Sequence, residues 1–387
     1  MTTLFWIALG LVFYVYRGYG LVLAALHLLD RGDNRYAAAV ALPSLTVLVT
    51  VCDEAARIEA RIRNILECDY PADRLQILVA SDGSTDLTEE IVAAVAAGPV
   101  ELFRSGARLG KTETQNRALA QARGDIVVFT DAGCDFAPAF LRAMVIPFAD
   151  PGVGGASGRL ELRRGAGSIF QGHGYYWAYE LSLRRLESAL GILAVGSGAC
   201  LAARRHLIRP MDPHVGEDCI VPLDVVEQGY RFVHQDGAVI YDVFENESRR
   251  EFKSRVRMTL RNWQGTWLRP ALLNPLRHPG YAFTLWSHKL LRWLSPVFLI
   301  VASALAFVLM SEPLYAAAAL LLSLFFAAAL IGWLGDRSGL RIPFAATAFS
   351  FVLANAAFLM GLCYAVAGKK ITAYRAGSLD SRESAGD

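Results

Sequence analysis

GDIVVFTDAGCDF, residues 124–136, carries an apolar run into a carboxylate at Asp131, follows it with two small residues, and reaches a second carboxylate at Asp135. A continuous apolar run of this length, bounded by turn residues, reads as a buried strand. Two more runs have the same character, LTVLVTV (45–51) and LQILVAS (75–81), and VELFRS (100–105) is a fourth. Helical patterns lie between them. EAARIEARIRNILE (54–67) places Ala55, Ile58, Ile62 and Ile65 on one face, and 86–97 and 110–123 are helix-like as well. Strand-then-helix alternation predicts an α/β domain with a mostly parallel sheet. Ligands of such sheets collect outside the carboxyl ends of the strands. Two of those ends carry unusual chemistry here, ASDGSTD (80–86) and TDAGCD (130–135).

The rest of the chain belongs to a different solvent. Of its 387 residues 54% are hydrophobic and 19% charged, too apolar for an average soluble protein and too charged for one wholly in lipid. A net charge of +2 with no basic-aromatic repeat excludes nucleic acid as a partner. The six cysteines form no CxxC or Cys/His cluster, so neither a zinc site nor a disulfide framework is expected. Residues 1–30 read as an N-terminal membrane anchor without a cleavage site, and 31–250 as the α/β domain. The stretch 251–293, with Trp286, Trp293, Lys289 and Arg292, has the composition of an amphipathic segment at headgroup level. Three transmembrane helices follow within 294–368, at 294–310, 313–334 and 343–367, and 369–387 is a polar tail. Basic residues flanking the spans favour a cytoplasmic α/β domain. Four crossings then put both termini outside, which leaves the basic GKKITAYR on the unfavoured side.

At the strand ends, Asp82 precedes Gly83, a residue that permits close ligand approach. A plain turn aspartate is the alternative. Asp131, with Ala132 and Gly133 leaving backbone room, suits a Mg2+ or Mn2+ ion holding a diphosphate. Lys111 opens a helix after Gly110 and adds positive charge near such a diphosphate, or is an ordinary solvated helix start.

The ordered succession LTVLVTVCDEAARIEARIRNILECDYPADRLQILVASDGSTDLT, GKTETQNRALAQARGDIVVFTDA, VGSGACLAARRHL and GEDCIVPLDVVEQGYRFV resembles a family 2 glycosyltransferase of the bacterial membrane-anchored kind. The likeness spans residues 45–265 and continues through SHKLLRW into the terminal spans. It implies a GT-A fold, Rossmann-like with a mostly parallel sheet, flanked by transmembrane helices in the bacterial inner membrane. It further implies inverting transfer from a nucleotide-diphosphate sugar, a UDP-sugar favoured, with a divalent cation as cofactor. The acceptor would be a membrane lipid, a lipid-linked glycan or a polysaccharide. By the same resemblance Asp82 contacts the nucleobase and Asp131 serves the ribose, diphosphate and metal. Asp218 is the catalytic base, with Glu217 the next candidate, and Thr50, Cys52, Glu54, Lys111, Arg261 and Trp263 join the nucleotide-sugar site.

Several positions depart from the family pattern. In TVCDE, Cys52 stands where an aromatic would stack on the base, and Asp53 where Asn is usual. Gly133 occupies the third position of the usual DxD, so either Asp135 or water completes the metal set. TLRNWQG keeps Arg261 and Trp263 in a spacing shifted from the QxxRW of processive polymerases, and non-processive transfer is expected. The alternative is a catalytically inactive subunit that binds sugar nucleotide or scaffolds glycan export.

Overall fold

The computed structural model describes residues 1–29, 42–163, 169–243, 248–340 and 342–371. The chain opens with a long helix, α1 (Thr2–Leu29), interrupted by a π-helical turn at Tyr14–Gly18. The predicted alternation follows: β1 (Leu45–Val51), α2 (Ile58–Leu66), β2 (Leu75–Ser81), α3 (Thr88–Val95), β3 (Val100–Arg104), α4 (Lys111–Leu119) and β4 (Ile126–Asp131). Next come β5 (Cys134–Phe136), α5 (Phe140–Val145), β6 (Val153–Arg163), α6 (Ile169–Ala189), β7 (Leu201–Arg204), α7 (Glu217–Glu227), β8 (Arg231–Val243) and α8 (Ser248–Trp267). Three long apolar helices close the described chain, α9 (Pro279–Val308), α10 (Pro313–Ser338) and α11 (Pro343–Val366).

Among the described residues, eight strands form one sheet in the order β3-β2-β1-β4-β7-β6-β8-β5. The half built from the apolar runs is parallel, whereas β7 runs antiparallel to both β4 and β6. β5 follows β4 after a turn of two residues yet pairs with β8 at the far end of the order. The sheet therefore curls back on itself, and its last edge returns to the carboxyl end of β4.

Alternation along the strands divides the core in two. Val47, Val49, Ile77, Val79 and Val128 pack with Ile58, Ile62 and Ile65 of α2 on one face. Leu48, Leu78, Val127 and Phe129 pack with α7 on the other. Phe129 is fully buried there, and truncating a buried phenylalanine to alanine costs roughly 3–5 kcal/mol. The second core continues through Leu285 and Trp293 of α9 into Phe358 and Leu362 of α11. The α/β domain and the apolar helices thus share one hydrophobic interior.

Some boundaries differ from expectation. α2 begins at Ile58 because Asp53 adopts a left-handed φ of 57° and the chain turns before helix geometry can start. That conformation favours Asn and Asp over other side chains, which accounts for Asp53 where Asn is usual. The stretch expected at headgroup level, 251–293, divides between α8 and the first half of α9, and α9 continues unbroken to Val308.

Candidate active site

Sheet register assembles the site. Leu48 lies opposite Leu78 and Phe129, so these three share the second core's face, and two residues on Thr50 lies opposite Ala80 and Asp131. Thr50, Asp131 and, one pleat on from Ala80 and just past the end of β2, Asp82 therefore rise on the same face, at the carboxyl ends of three adjacent strands. The Thr50 hydroxyl is buried there without a hydrogen-bond partner. A buried hydroxyl without a partner costs roughly 1–3 kcal/mol, a cost that a ligand's polar group removes.

Asp82 is 6% exposed and its acceptors are taken by the chain. Its Oδ1 accepts from the amides of Leu109 and Gly110 at 2.7 and 3.0 Å and from the Thr114 hydroxyl at 2.8 Å. This carboxylate ties the start of α4 to the end of β2. The close approach needs Gly83, with φ 64°, where a Cβ would come within 2.7 Å of the backbone of Ala107 and Arg108. Asp82 thus fixes the loop that leads into α4. Cys52, on the same side, places its Sγ 3.4 Å from the Asp82 carbonyl oxygen, and burial pushes its thiol up to about 11. Burial also raises the Glu54 carboxyl; Arg57 opposes this and Asp131 adds to it.

Lys111, the first residue of α4, joins the two halves of the site. Its ammonium lies 2.6 Å from Asp131 Oδ1 and 2.6 Å from Glu217 Oε1. Burial pulls the ammonium down, but the two carboxylates outweigh it, and its pKa stands above the usual lysine range. The two contacts are unequal, because the Asp131 side chain is 45% exposed and that of Glu217 only 4%. Beside Glu217, the Asp218 carboxyl is raised by burial and by Glu217, while Arg261, Lys111 and Lys289 pull it back in part. The Asp218 side chain folds over Gly216, where any Cβ would collide with Oδ1. Arg261 reaches from α8 to donate to the Thr112 hydroxyl and the Val215 carbonyl oxygen, both at 2.7 Å. α8 is thereby locked to α4 and to the loop that presents Asp218.

The expected set is not all in one place. Trp263 packs its ring against Trp267 of α8 and Trp293 of α9, at 6.1 and 6.0 Å, within the core shared with the apolar helices. Asp135 sits on β5 opposite Tyr241, while its neighbours Cys134 and Phe136 point into the first core. Among the described residues no group of three His, Cys, Asp or Glu side chains is arranged to hold a metal ion. A Cβ at Gly133 would meet only Arg57 Nη1, at 3.6 Å, so a guanidinium stands where a DxD sequence would have its second carboxylate. Mg2+ commonly takes one or two carboxylates and completes its shell with substrate phosphates and water. Exposed Asp131 beside the unpaired Thr50 hydroxyl fits an ion that arrives with a diphosphate.

Two residues escape a reading of the sequence. Arg61, 1% exposed, donates to the Asp131 carbonyl oxygen at 3.1 Å and to the Thr130 hydroxyl at 2.8 Å, and its guanidinium lies over the Phe136 ring. It clamps the β4–β5 turn from beneath. The signal was present, since Arg61 falls between Ile58, Ile62 and Ile65 on the buried face of α2. Lys289 of α9 lines, with Asp218, Asn262, Leu285 and Trp293, a cavity of about 20 Å³, room for one water or one hydroxyl.

The profile of the family described as Glycosyl transferase family 2 matches residues 46–210. A beta-monoglucosyldiacylglycerol synthase of Synechocystis sp. is 32% identical over 132 residues, 33% of this chain and 27% of that protein. An N-acetylglucosaminyltransferase of Bradyrhizobium diazoefficiens is 25% identical over 266 residues, 63% of this chain and 54% of that one. The chain thus spans about a quarter to about half the length of these curated relatives. A mannosyltransferase from Pyrobaculum calidifontis, solved in complex with GDP-Man and Mn2+, superimposes with a TM-score of 0.73 at 25% identity. It covers 95% of this chain and the whole of that one, and the fold is of the GT-A type.

Proposed function

Because the chain is a family 2 glycosyltransferase with its family domain at residues 46–210, we propose that it transfers a sugar from a nucleotide-diphosphate donor to a lipid- or polysaccharide-linked acceptor, with inversion and without processivity. The observation that carries this reading is the Lys111 bridge. One ammonium links Asp131, at the strand ends where a donor diphosphate would lie, to Glu217, whose neighbour Asp218 faces a cavity of hydroxyl size.

The chemistry follows from that arrangement. An acceptor oxygen forms its bond to the anomeric carbon as the bond to the diphosphate breaks on the opposite side, and the hydroxyl proton goes to a carboxylate oxygen of Asp218. Lys111 lies next to the charge that develops on the leaving diphosphate. A divalent cation held through Asp131 would add further positive charge there. A UDP-sugar is the favoured donor. The relatives, a beta-monoglucosyldiacylglycerol synthase and a mannosyltransferase solved with GDP-Man among them, support a nucleotide sugar and a lipid acceptor as classes.

Helices α1, α9 and α10 support anchorage in the bacterial inner membrane with the α/β domain on the cytoplasmic face. Each is long and apolar enough to cross, and all three meet at Phe5, Ala306 and Tyr315. Gly133 beside Arg57 favours a second reading, an inactive subunit that binds nucleotide sugar. Incubating the purified full chain with UDP-, GDP- and TDP-sugars, with and without Mn2+ and lipid acceptor, separates the two. Nucleotide release with one donor class supports transfer, and binding without release in every arm supports the inactive subunit.

A further inference from the structure

We infer that α11, although long and apolar enough to span a bilayer, lies along the membrane surface beneath α8, so that the chain crosses three times and its C-terminal tail leaves on the side of the α/β domain. The inference rests on the membrane anchorage proposed above and goes beyond it.

Both ends of α8 belong to the α/β domain. Its first residue, Ser248, comes five residues after the end of β8 at Val243. Near its other end, Gly265 packs against Val215 and Cys219, and Arg261 bonds to Thr112. α8 is strongly polar, with Arg249, Arg250, Lys253, Arg255, Arg257 and Arg261, and no part of it suits a hydrocarbon core.

α11 follows α8 from end to end. At the start, the Ser248 hydroxyl bonds to the carboxylate of Asp336, in the last turn of α10 just before the short turn into α11. Further along, Gly361 lies against the Thr259 side chain and the Val256 carbonyl oxygen. Past the other end, Gln264 Nε2 donates to the Lys369 carbonyl oxygen at 2.8 Å. A helix of 24 residues is about 36 Å long, so a crossing would separate its ends by the full hydrocarbon thickness, about 30 Å. Contacts at both ends with one polar helix on the domain side are incompatible with that separation. The opposite end of the bundle is marked by Phe5, Ala306, Tyr315 and Ala319, and that cluster includes no α11 residue among those described.

The charge pattern agrees independently. Lys369 and Lys370 follow α11, and with three crossings they fall on the face that carries the other basic flanks, as the positive-inside rule favours. α8 then supplies the polar side and α11 the apolar side of a two-helix layer. Phe344 and Val366, 73% and 89% exposed, are left to meet the acyl boundary of the cytoplasmic leaflet.

The test is sidedness in sealed membrane vesicles, with a membrane-impermeant maleimide and the full chain in a Cys363→Ser background. Three cysteines are compared: one appended after Asp387, Ala96→Cys on the α/β domain, and Met310→Cys in the α9–α10 turn. The expected result is that the appended cysteine and Ala96→Cys react from the same side, while Met310→Cys is protected there until detergent is added. Reaction of the appended cysteine together with Met310→Cys overturns the inference and leaves the anchorage intact. Release of the protein by alkaline extraction overturns both.

Discussion

Lys111→Met is the most informative substitution, because the two carboxylates that Lys111 joins differ in burial. The Asp131 contact is half in solvent, and exposed pairs contribute about 0–1 kcal/mol. Glu217, with its side chain 4% exposed, would be left as an uncompensated buried carboxylate, at about 3–5 kcal/mol. Methionine keeps the length of the stem and removes only the charge. At about 2–4 °C per kcal/mol for a domain of this size, thermal unfolding should fall by about 6–20 °C. Intrinsic-fluorescence melting of the protein in detergent measures it. Adding Glu217→Gln to Lys111→Met removes the orphaned charge and should restore about 1–3 kcal/mol of the loss. A single variant that melts within about 2 °C of the parent would refute the claim that the bridge organises the site.

Asp218→Asn should reduce transfer by about 10²–10⁴ while donor affinity by calorimetry is retained, and a parallel loss of affinity would move Asp218 to the donor site. Asp131→Asn should abolish transfer and make donor affinity insensitive to Mn2+, whereas Asp135→Asn should leave both unchanged; retained metal-stimulated turnover in Asp131→Asn defeats the assignment. Because burial and Glu217 raise the Asp218 pKa, the group keeps its proton where an ordinary aspartate has lost it, and transfer should rise with pH through that raised value. Lys289→Met removes one of the cations that favour the charged form, so this acidic limb should move to higher pH, and an unmoved limb counts against Lys289 as its neighbour. Arg61→Met unclamps the β4–β5 turn, and its loss of stability should exceed that of the exposed Arg63→Met by at least about 2 kcal/mol in denaturant titration.

The parallel half of the sheet was legible because β1, β2 and β4 are buried on both faces, and burial of that kind writes itself as an apolar run; β3, at the sheet edge, is only half-buried. The strand ends at Asp82 and Asp131 followed directly, since a carboxylate after such a run marks where the apolar stretch stops; that Asp82 stays buried and bonded to the chain while Asp131 is exposed was not legible. The other half, where β7 runs antiparallel to β4 and β6 while β6 and β8 pair in parallel, was not legible. β6, β7 and β8 are rich in Gly, Ala and charged residues, and only their pairing with β4 and with one another makes them strands.

The site divides along the same line. Asp131, Asp218 and Lys111 stood out in the sequence as candidates, but not that Lys111 bridges Asp131 and Glu217, nor that Trp263 packs against Trp293 of the apolar helices. Arg261 meets Thr112 across 149 residues of chain, a separation at which local periodicity carries no information. The same limit applies to α11. Its composition states that it is apolar, and that alone cannot distinguish a helix that crosses from one that rests beneath a polar neighbour. The inference about α11 rests on α8, whose charges and anchor points lie about a hundred residues earlier and whose position only the packed structure determines.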